Sequence, residues 1–98
     1  MVIDVVPLRQ SPAEDTLHLQ VAMNTHVVDL SYDLTQIVEL RTDRGDTVSP
    51  VMWDGPIGGH HVNGVLYFAP IDLKGVRWIE IVIRGVADVP ERVFHWDL

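Results

Sequence analysis

An adjacent histidine pair closes the stretch of this chain best equipped for chemistry, Trp53-Asp54-Gly55-Pro56-Ile57-Gly58-Gly59-His60-His61. Neutral imidazole is the commonest protein ligand for transition metals, and its charge changes near physiological pH. The glycines let main chain approach a ligand or a neighbouring loop closely. His26 and Asp29 follow a strand-like segment, and they join this stretch if the two strand ends meet at one pole of the fold. A site drawn from His26, His60 or His61 with Asp54 or Asp29 suits Zn²⁺ or Cu²⁺ by ligand type. The spacing argues the other way. Neighbouring residues of a regular strand point to opposite faces, and the chain has neither an H-x-H nor an H-x₃-H pair. The structural alternative is an imidazole that donates to a loop carbonyl and locks the loop. A mononuclear blue-copper centre needs a thiolate, and the chain has no cysteine.

The three tryptophans divide by position. Trp53 beside Asp54 can stack on a ligand, although a tryptophan ending a strand of a small sandwich usually covers the edge of the core. Trp96 alternates with apolar positions and reads as packing. Trp78 falls on the face opposite Ile79, Ile81 and Ile83, where with Val82 it would make a small apolar patch open to a partner. Arg44-Gly45-Asp46 spells an adhesive tripeptide, but the same residues are what any tight turn favours. Catalysis has little support. Ser11, Ser31 and Ser49 lack a nucleophile-elbow context, and the scattered carboxylates do not pair into an acid and a base. Gly55-Pro56-Ile57-Gly58-Gly59 precedes a strand rather than a helix, so it is not a dinucleotide fingerprint.

The elements that must position these residues show a period of two. Leu17, Leu19, Val21 and Met23 alternate with His18, Gln20, Ala22 and Asn24, Ile79, Ile81 and Ile83 with Glu80, Val82 and Arg84, and Phe94, Trp96 and Leu98 with His95 and Asp97. Val2 to Leu8, Ile37 to Thr42, Thr47 to Trp53 and Val62 to Ala69 have strand length, which gives about seven strands. Asp43-Arg44-Gly45-Asp46 reads as a short hairpin loop, and Pro70 to Gly75 and Val86 to Glu91 as longer corners. Pro7 and Pro50 cannot donate to a ladder, which places their strands at edges or bulges. Between Thr25 and Leu34 the pattern fits extended chain to about Leu30, then one helical turn in which Asp33 and Gln36 resemble a capping box. The expectation is a single all-β domain over residues 1–98, an antiparallel immunoglobulin-like β-sandwich. Its expected core is Leu17, Leu19, Val21, Leu40, Leu66, Phe68, Ile79, Ile81, Phe94 and Trp96.

Composition bounds the function. At 98 residues and 47% hydrophobic, the chain suits one packed domain and is too apolar for a disordered one. Fourteen acidic residues against seven basic ones give a formal charge of -7, a field that opposes nucleic acid and anionic lipid. No apolar run is long enough to cross a bilayer. Met1 to Leu8 has neither a basic start nor a cleavable apolar segment, which leaves a cytoplasmic protein or a domain parted from its export signal or anchor.

Three segments together carry a resemblance: Asn24-Thr25-His26-Val27-Val28-Asp29-Leu30, Trp53 to Phe68, and Val89-Pro90-Glu91-Arg92-Val93-Phe94-His95-Trp96-Asp97-Leu98. From Leu17 onward the chain resembles an uncharacterised prokaryotic family of small immunoglobulin-like or cupredoxin-like β-sandwich domains, often found in secreted or lipid-anchored proteins. The resemblance implies a setting outside the cytoplasm and brings no activity with it. The functional expectation is therefore a non-catalytic module without a cofactor. Its loops Asp54–His61 and Thr25–Asp29 would contact a partner protein or a neighbouring domain. Trp53, Asp54, His60, His61 and Trp78 are the candidate binding residues, with strand addition or a homodimer as a second mode of contact. The alternative is a Zn or Cu domain using His26, Asp29, Asp54, His60 and His61.

Overall fold

A computed structural model of the chain describes residues 2–8, 17–25, 29–71 and 73–97, with only the backbone described at Leu8. Its strands are β1 (Val2–Leu8), β2 (His18–Asn24), β3 (Val38–Thr42), β4 (Thr47–Val48), β5 (Met52–Asp54), β6 (His61–Tyr67), β7 (Trp78–Val86) and β8 (Val89–Asp97), with one helical turn, α1 (Leu34–Ile37), before β3. They form two antiparallel sheets of four strands, sheet A in the order β1-β2-β6-β5 and sheet B in the order β4-β3-β7-β8. In immunoglobulin lettering these orders are A-B-E-D and C′-C-F-G, the two layers of an immunoglobulin-like sandwich.

Alternation builds the layers. In β2, Leu19, Val21 and Met23 are buried, while Gln20 and Asn24 are exposed. In β3, Val38, Leu40 and Thr42 are buried between half-buried Glu39 and Arg41. Because side chains in a strand alternate faces, each segment puts its apolar set against the other sheet. The core joins these residues to Val62, Leu66 and Phe68 from β6 and its continuation, and to Ile79, Ile81 and Ile83 from β7. Eight of the ten expected core residues are buried. Phe94 and Trp96 are half-buried, because β8 is the outermost strand of sheet B and neighbours cover only one side of it.

Three expectations need correction. Thr47 to Trp53 is not one strand. It crosses between the layers through Ser49, Pro50 and Val51, giving β4 to sheet B and β5 to sheet A. Pro50 lacks an amide proton to continue a ladder, and it is buried at this crossing, between two strands that each lie at the edge of a sheet. Pro7 likewise lies in an edge strand, β1. The second correction is Val82, which is 0% exposed and so contributes no surface patch with Trp78. The third concerns the helical turn. Asp33 caps it by accepting from Thr35 N at 3.0 Å and Thr35 Oγ1 at 2.7 Å, while Gln36 contributes its main-chain N–H to Asp33 O at 3.0 Å. The reciprocal side-chain bond of a capping box is not what closes this end.

The corner expected over Val86 to Glu91 is instead a two-residue hairpin. Val86 pairs with Val89, and Ala87 and Asp88 between them have φ of 52° and 61°. Positive φ at both central positions is the type I′ arrangement, whose twist matches that of the flanking strands. Neither residue is glycine or asparagine, so the turn carries a left-handed penalty of roughly 1 kcal/mol or more per residue. Asp88 is exposed and is the clean place to test this. Asp88→Gly should raise stability by about 0.5 kcal/mol and Asp88→Val should lower it by about 1–2 kcal/mol. Denaturant melts that put valine level with or above glycine would rule out the left-handed turn.

Candidate functional site

Antiparallel pairing sets the end of β2 beside the start of β6, with Asn24 opposite His61. The segment after β2 and the loop between β5 and β6 therefore emerge at the same pole. Main-chain bonds tie them together: Thr25 N donates to His60 O at 2.9 Å, Leu30 N to Gly59 O at 2.9 Å, and Gly58 N to Leu30 O at 3.1 Å. The β7–β8 turn closes the pole from the other sheet, where Ala87 N donates to the Tyr32 hydroxyl at 3.2 Å.

Trp53 and two glycines shape the β5–β6 loop. The indole N–H of Trp53 donates to Pro56 O at 3.1 Å, and the half-buried ring packs against the core. A Cβ on Gly55 would come within 2.6 Å of Trp53 Cζ2, and one on Gly64 within 2.4 Å of the Asp54 carbonyl oxygen. Only glycine permits this approach, so the ring is a clamp folded onto main chain. Gly58 and Gly59 then take φ of 106° and 88°, which lets their amides turn toward the neighbouring loop.

Asp29 is the polar anchor of the pole. Its Oδ1 accepts from Gly59 N at 3.0 Å and its Oδ2 from the Ser31 hydroxyl at 2.7 Å. The Ser31 bond, then the Gly59 bond and the nearby His60 hold its carboxyl below the ordinary carboxylate value of 3.8, against a smaller opposing effect of burial. His61 opens β6, where its Nδ1 lies 2.8 Å from Asn24 Oδ1. His60 is exposed in the loop, and Asp54 is exposed opposite Val65 on the outer face of sheet A. The pole thus brings Asp29 and His60 together and leaves Asp54 on a different face. Each Asp29 oxygen accepts one hydrogen bond, Oδ1 from Gly59 and Oδ2 from Ser31. Among the described residues no three histidine, aspartate or glutamate side chains gather as a metal site, and His26 lies outside the described residues.

Trp78 belongs to a second cluster, on the outer face of sheet B, that single-sequence reasoning did not assemble. Register sets Arg41, Glu80 and His95 in one row, Glu39, Val82 and Val93 in the next, and Arg84 and Glu91 in the third. Arg84 Nη2 reaches Glu39 Oε1 at 2.9 Å, and Arg41 Nη2 reaches Glu80 at 3.5 Å and Glu91 at 3.9 Å. The Arg41–Glu91 contact bridges the row that holds Val82, and these long side-chain stems account for the burial of an outward-facing valine. Only the pairing of β3, β7 and β8 brings these charges together. The chain has charged residues at alternate positions there, and that alternation was the available signal.

His95 is the most constrained member of this face. Its Nδ1 lies 3.0 Å from Glu80 Oε2, its Nε2 lies 2.8 Å from Asp97 Oδ1, and its ring lies 5.4 Å from that of Trp78. A neutral imidazole can donate from only one nitrogen, so two carboxylate acceptors favour the imidazolium. The Asp97 bond, then the Glu80 bond raise its pKa above the ordinary 6.5. Beside it a shallow groove of ≈ 180 Å³ runs between Trp78 and the β3–β4 hairpin, lined in part by Gly45 and Asp46 of the adhesive-like tripeptide.

Both carboxylate systems make pH-dependent contributions of opposite sign. A group with a raised folded pKa stabilises fully below its unfolded value and loses this as pH climbs through the folded value. Wild type should therefore exceed His95→Gln in melting temperature on the acid side of pH 6.5, and the gap should close as the pH passes above it. A constant gap across that range would refute the paired imidazolium. Asp29 has the depressed case: its contribution is present above 3.8 and fades as pH falls through the lower folded value. Asp29→Ala should speed amide hydrogen exchange at Gly59 and Leu30 at neutral pH, while the exchange of Ile81 in the core stays unchanged.

No protein-family model, no curated protein and no solved structure matches this chain. The reading of its function rests on the geometry of the pole and of the outer face of sheet B.

Proposed function

We propose that this domain is a non-catalytic interaction module that uses the loops at one pole, Asp54–His61 and Thr25–Asp29, to contact a partner protein or a neighbouring domain. The observation that carries the reading is the set of cross-loop main-chain bonds that join Thr25 and Leu30 to Gly58, Gly59 and His60. A loop surface held by main chain loses little entropy when it binds, and such preorganisation raises affinity. At its tip Ile57 stands 62% exposed, an apolar side chain flanked by the glycines and by the exposed imidazole of His60. An apolar anchor on a rigid loop with a polar rim has the composition of a small binding centre. A net charge of -7 adds a preference for basic or neutral partners over nucleic acid. The resemblance noted above supports a setting outside the cytoplasm.

The metal reading has one observation on its side, the proximity of His60 to Asp29 that helps depress the carboxyl. An ion at Asp29 would draw on the same two oxygens that accept from Gly59 and Ser31, its partners in the loop lock.

Two measurements on one pair of variants separate the readings. Ile57→Asp should abolish capture of the binding partner in affinity purification from the native host, with the melting temperature within a degree or two of wild type, as is usual for an exposed site. Capture that survives Ile57→Asp and His60→Ala together would rule out the pole as the contact surface. Zn²⁺ or Cu²⁺ should leave the wild-type melting temperature unchanged. A rise that disappears in His60→Ala would favour the metal domain instead.

A further inference from the structure

The sandwich has four edge strands, and they are unequal. β4 has two residues and β5 three, whereas β1 has seven and β8 nine. An exposed strand edge is a row of unpaired main-chain donors and acceptors, and long edges are the ones that recruit another strand. The phase of hydrogen bonding along β8 follows from the β3–β4 hairpin. Thr42 N donates to Asp46 O at 3.1 Å, so Thr42 and Leu40 turn their main-chain groups toward β4, and Glu39 and Arg41 turn theirs toward β7. Along β7, Glu80 and Val82 then bond to β3, while Ile79, Ile81 and Ile83 bond to β8. Arg92, Phe94 and Trp96 therefore turn their main-chain groups toward β7. Those of Glu91, Val93 and His95 lie along the free edge.

We infer that this edge pairs antiparallel with β8 of a second copy of the chain, about a two-fold axis through Val93, joining the two B sheets into one. The side chains along β8 are self-complementary in that register. Val93, 45% exposed and on the outer face, meets Val93 of the second copy. Two residues to either side, Glu91 of one copy stands opposite His95 of the other. Opposite charges placed directly across strands are stabilising. Glu91 is free to respond, since its contacts to Arg41 and Arg84 are long, at 3.9 Å and 3.8 Å. His95 already faces Glu80 and Asp97 within its own chain, and Glu91 of the second copy adds a carboxylate to an imidazole that favours its charged form. On the inner side, the half-buried Arg92 comes opposite Phe94 of the second copy, a pairing of guanidinium and ring. Among the described residues Arg92 Nε is buried without a hydrogen-bond partner, and it sits at this same edge. The other long edge lacks this pattern: β1 centred on Val5 would set Asp4 beside an apolar Val6 of the second copy, with no opposite charge to meet it.

The chain has no cysteine, so a single introduced thiol reports its own neighbours. In the proposed register, Val93 faces its copy as a hydrogen-bonded pair with Cα atoms about 5.5 Å apart, inside the range that a disulfide spans. Val93→Cys under mild oxidation should form a covalent dimer nearly quantitatively, and Val6→Cys on the exposed face of β1 should cross-link only at a collisional level. Light scattering of the wild type at submillimolar concentration should give twice the chain mass. Val93→Pro deletes a free-edge amide and leaves the β7 ladder intact, so a variant that melts cooperatively should be monomeric. A wild type that stays monomeric, with Val93→Cys cross-linking no faster than Val6→Cys, would overturn the inference. So would efficient cross-linking through Val6→Cys with none through Val93→Cys, which would move the seam to β1. If Val93→Pro fails to fold, the thiol comparison alone decides.

Discussion

Burial of two facing surfaces, one from β2 and β6 and the other from β3 and β7, is the constraint on which the rest of this fold depends. These four central strands supply Leu19, Val21, Met23, Val38, Leu40, Val62, Leu66, Ile79, Ile81 and Ile83, all buried. At roughly 1.5–3 kcal/mol for each large side chain removed from water, they dominate the favourable side of folding. Their registers are fixed by the same burial, because a slip of one residue would turn the apolar set of a strand to the outside. Once Asn24 is locked opposite His61 and Leu40 opposite Ile81, the positions of the pole loops and of the outer-face charges follow without further choice. The edge strands are half-buried and less committed, and that is where the molecule can exchange contacts with another.

The readable part of this architecture was the part with a local signal. Alternation of apolar residues identified β2, β7 and β8, strand length marked β3 and β6, and eight residues of the expected core sit where burial requires them. Failures came where the deciding partner is remote in sequence. Thr47 to Trp53 looks continuous, and only the demand that β4 join β3 while β5 joins β6 splits it at Pro50. Ala87-Asp88 has none of the glycine or asparagine that marks a two-residue turn, so the ladder on either side imposes a conformation that the local residues disfavour. Val82 reads as surface by its alternation, yet arginine and glutamate side chains from three strands cover it. The candidate site divides in the same way. That the β5–β6 loop and the segment after β2 meet could be anticipated from Trp53, the glycines and the histidines. That Asp29 is the residue holding them could not, because its acceptors face an amide 30 positions away.

Charge is distributed unevenly over the two outer faces, and this gives the surfaces different physical characters. Rows of Glu39, Arg41, Glu80, Arg84, Glu91 and His95 cross sheet B, where opposite signs alternate and exposed pairs contribute mainly specificity. The outer face of sheet A is built from Ala22, Asn63, Val65 and the edge-to-face pair His18–Tyr67, whose rings lie 4.4 Å apart, with Asp4 and Asp54 confined to its edge strands. The pole, between these faces, depends on neither. It is held by main-chain amides and one carboxylate, so salt that weakens the sheet B pairs leaves the loop lock largely intact.

Pole and edge are also independent in direction, which limits what an assembly of such domains can do. The pole lies at the end of the strands, where β2 and β7 stop and β6 begins, whereas the free side of β8 runs along their length. Antiparallel pairing about a two-fold axis reverses the strand direction from one copy to the other. The two poles then point in opposite directions, and neither is covered by the seam. A pair built this way cannot gain avidity by placing both poles on one flat surface, since no single surface reaches both. It can bridge two partners that lie on opposite sides of it. Parallel pairing would place both poles on one side, but joining the two free edges that way offsets the strands by one residue and turns the outer face of one copy to the inner side of the other, so Glu91 and His95 no longer meet. The same charges that fix the register of β8 therefore also fix a bridging geometry for the two poles.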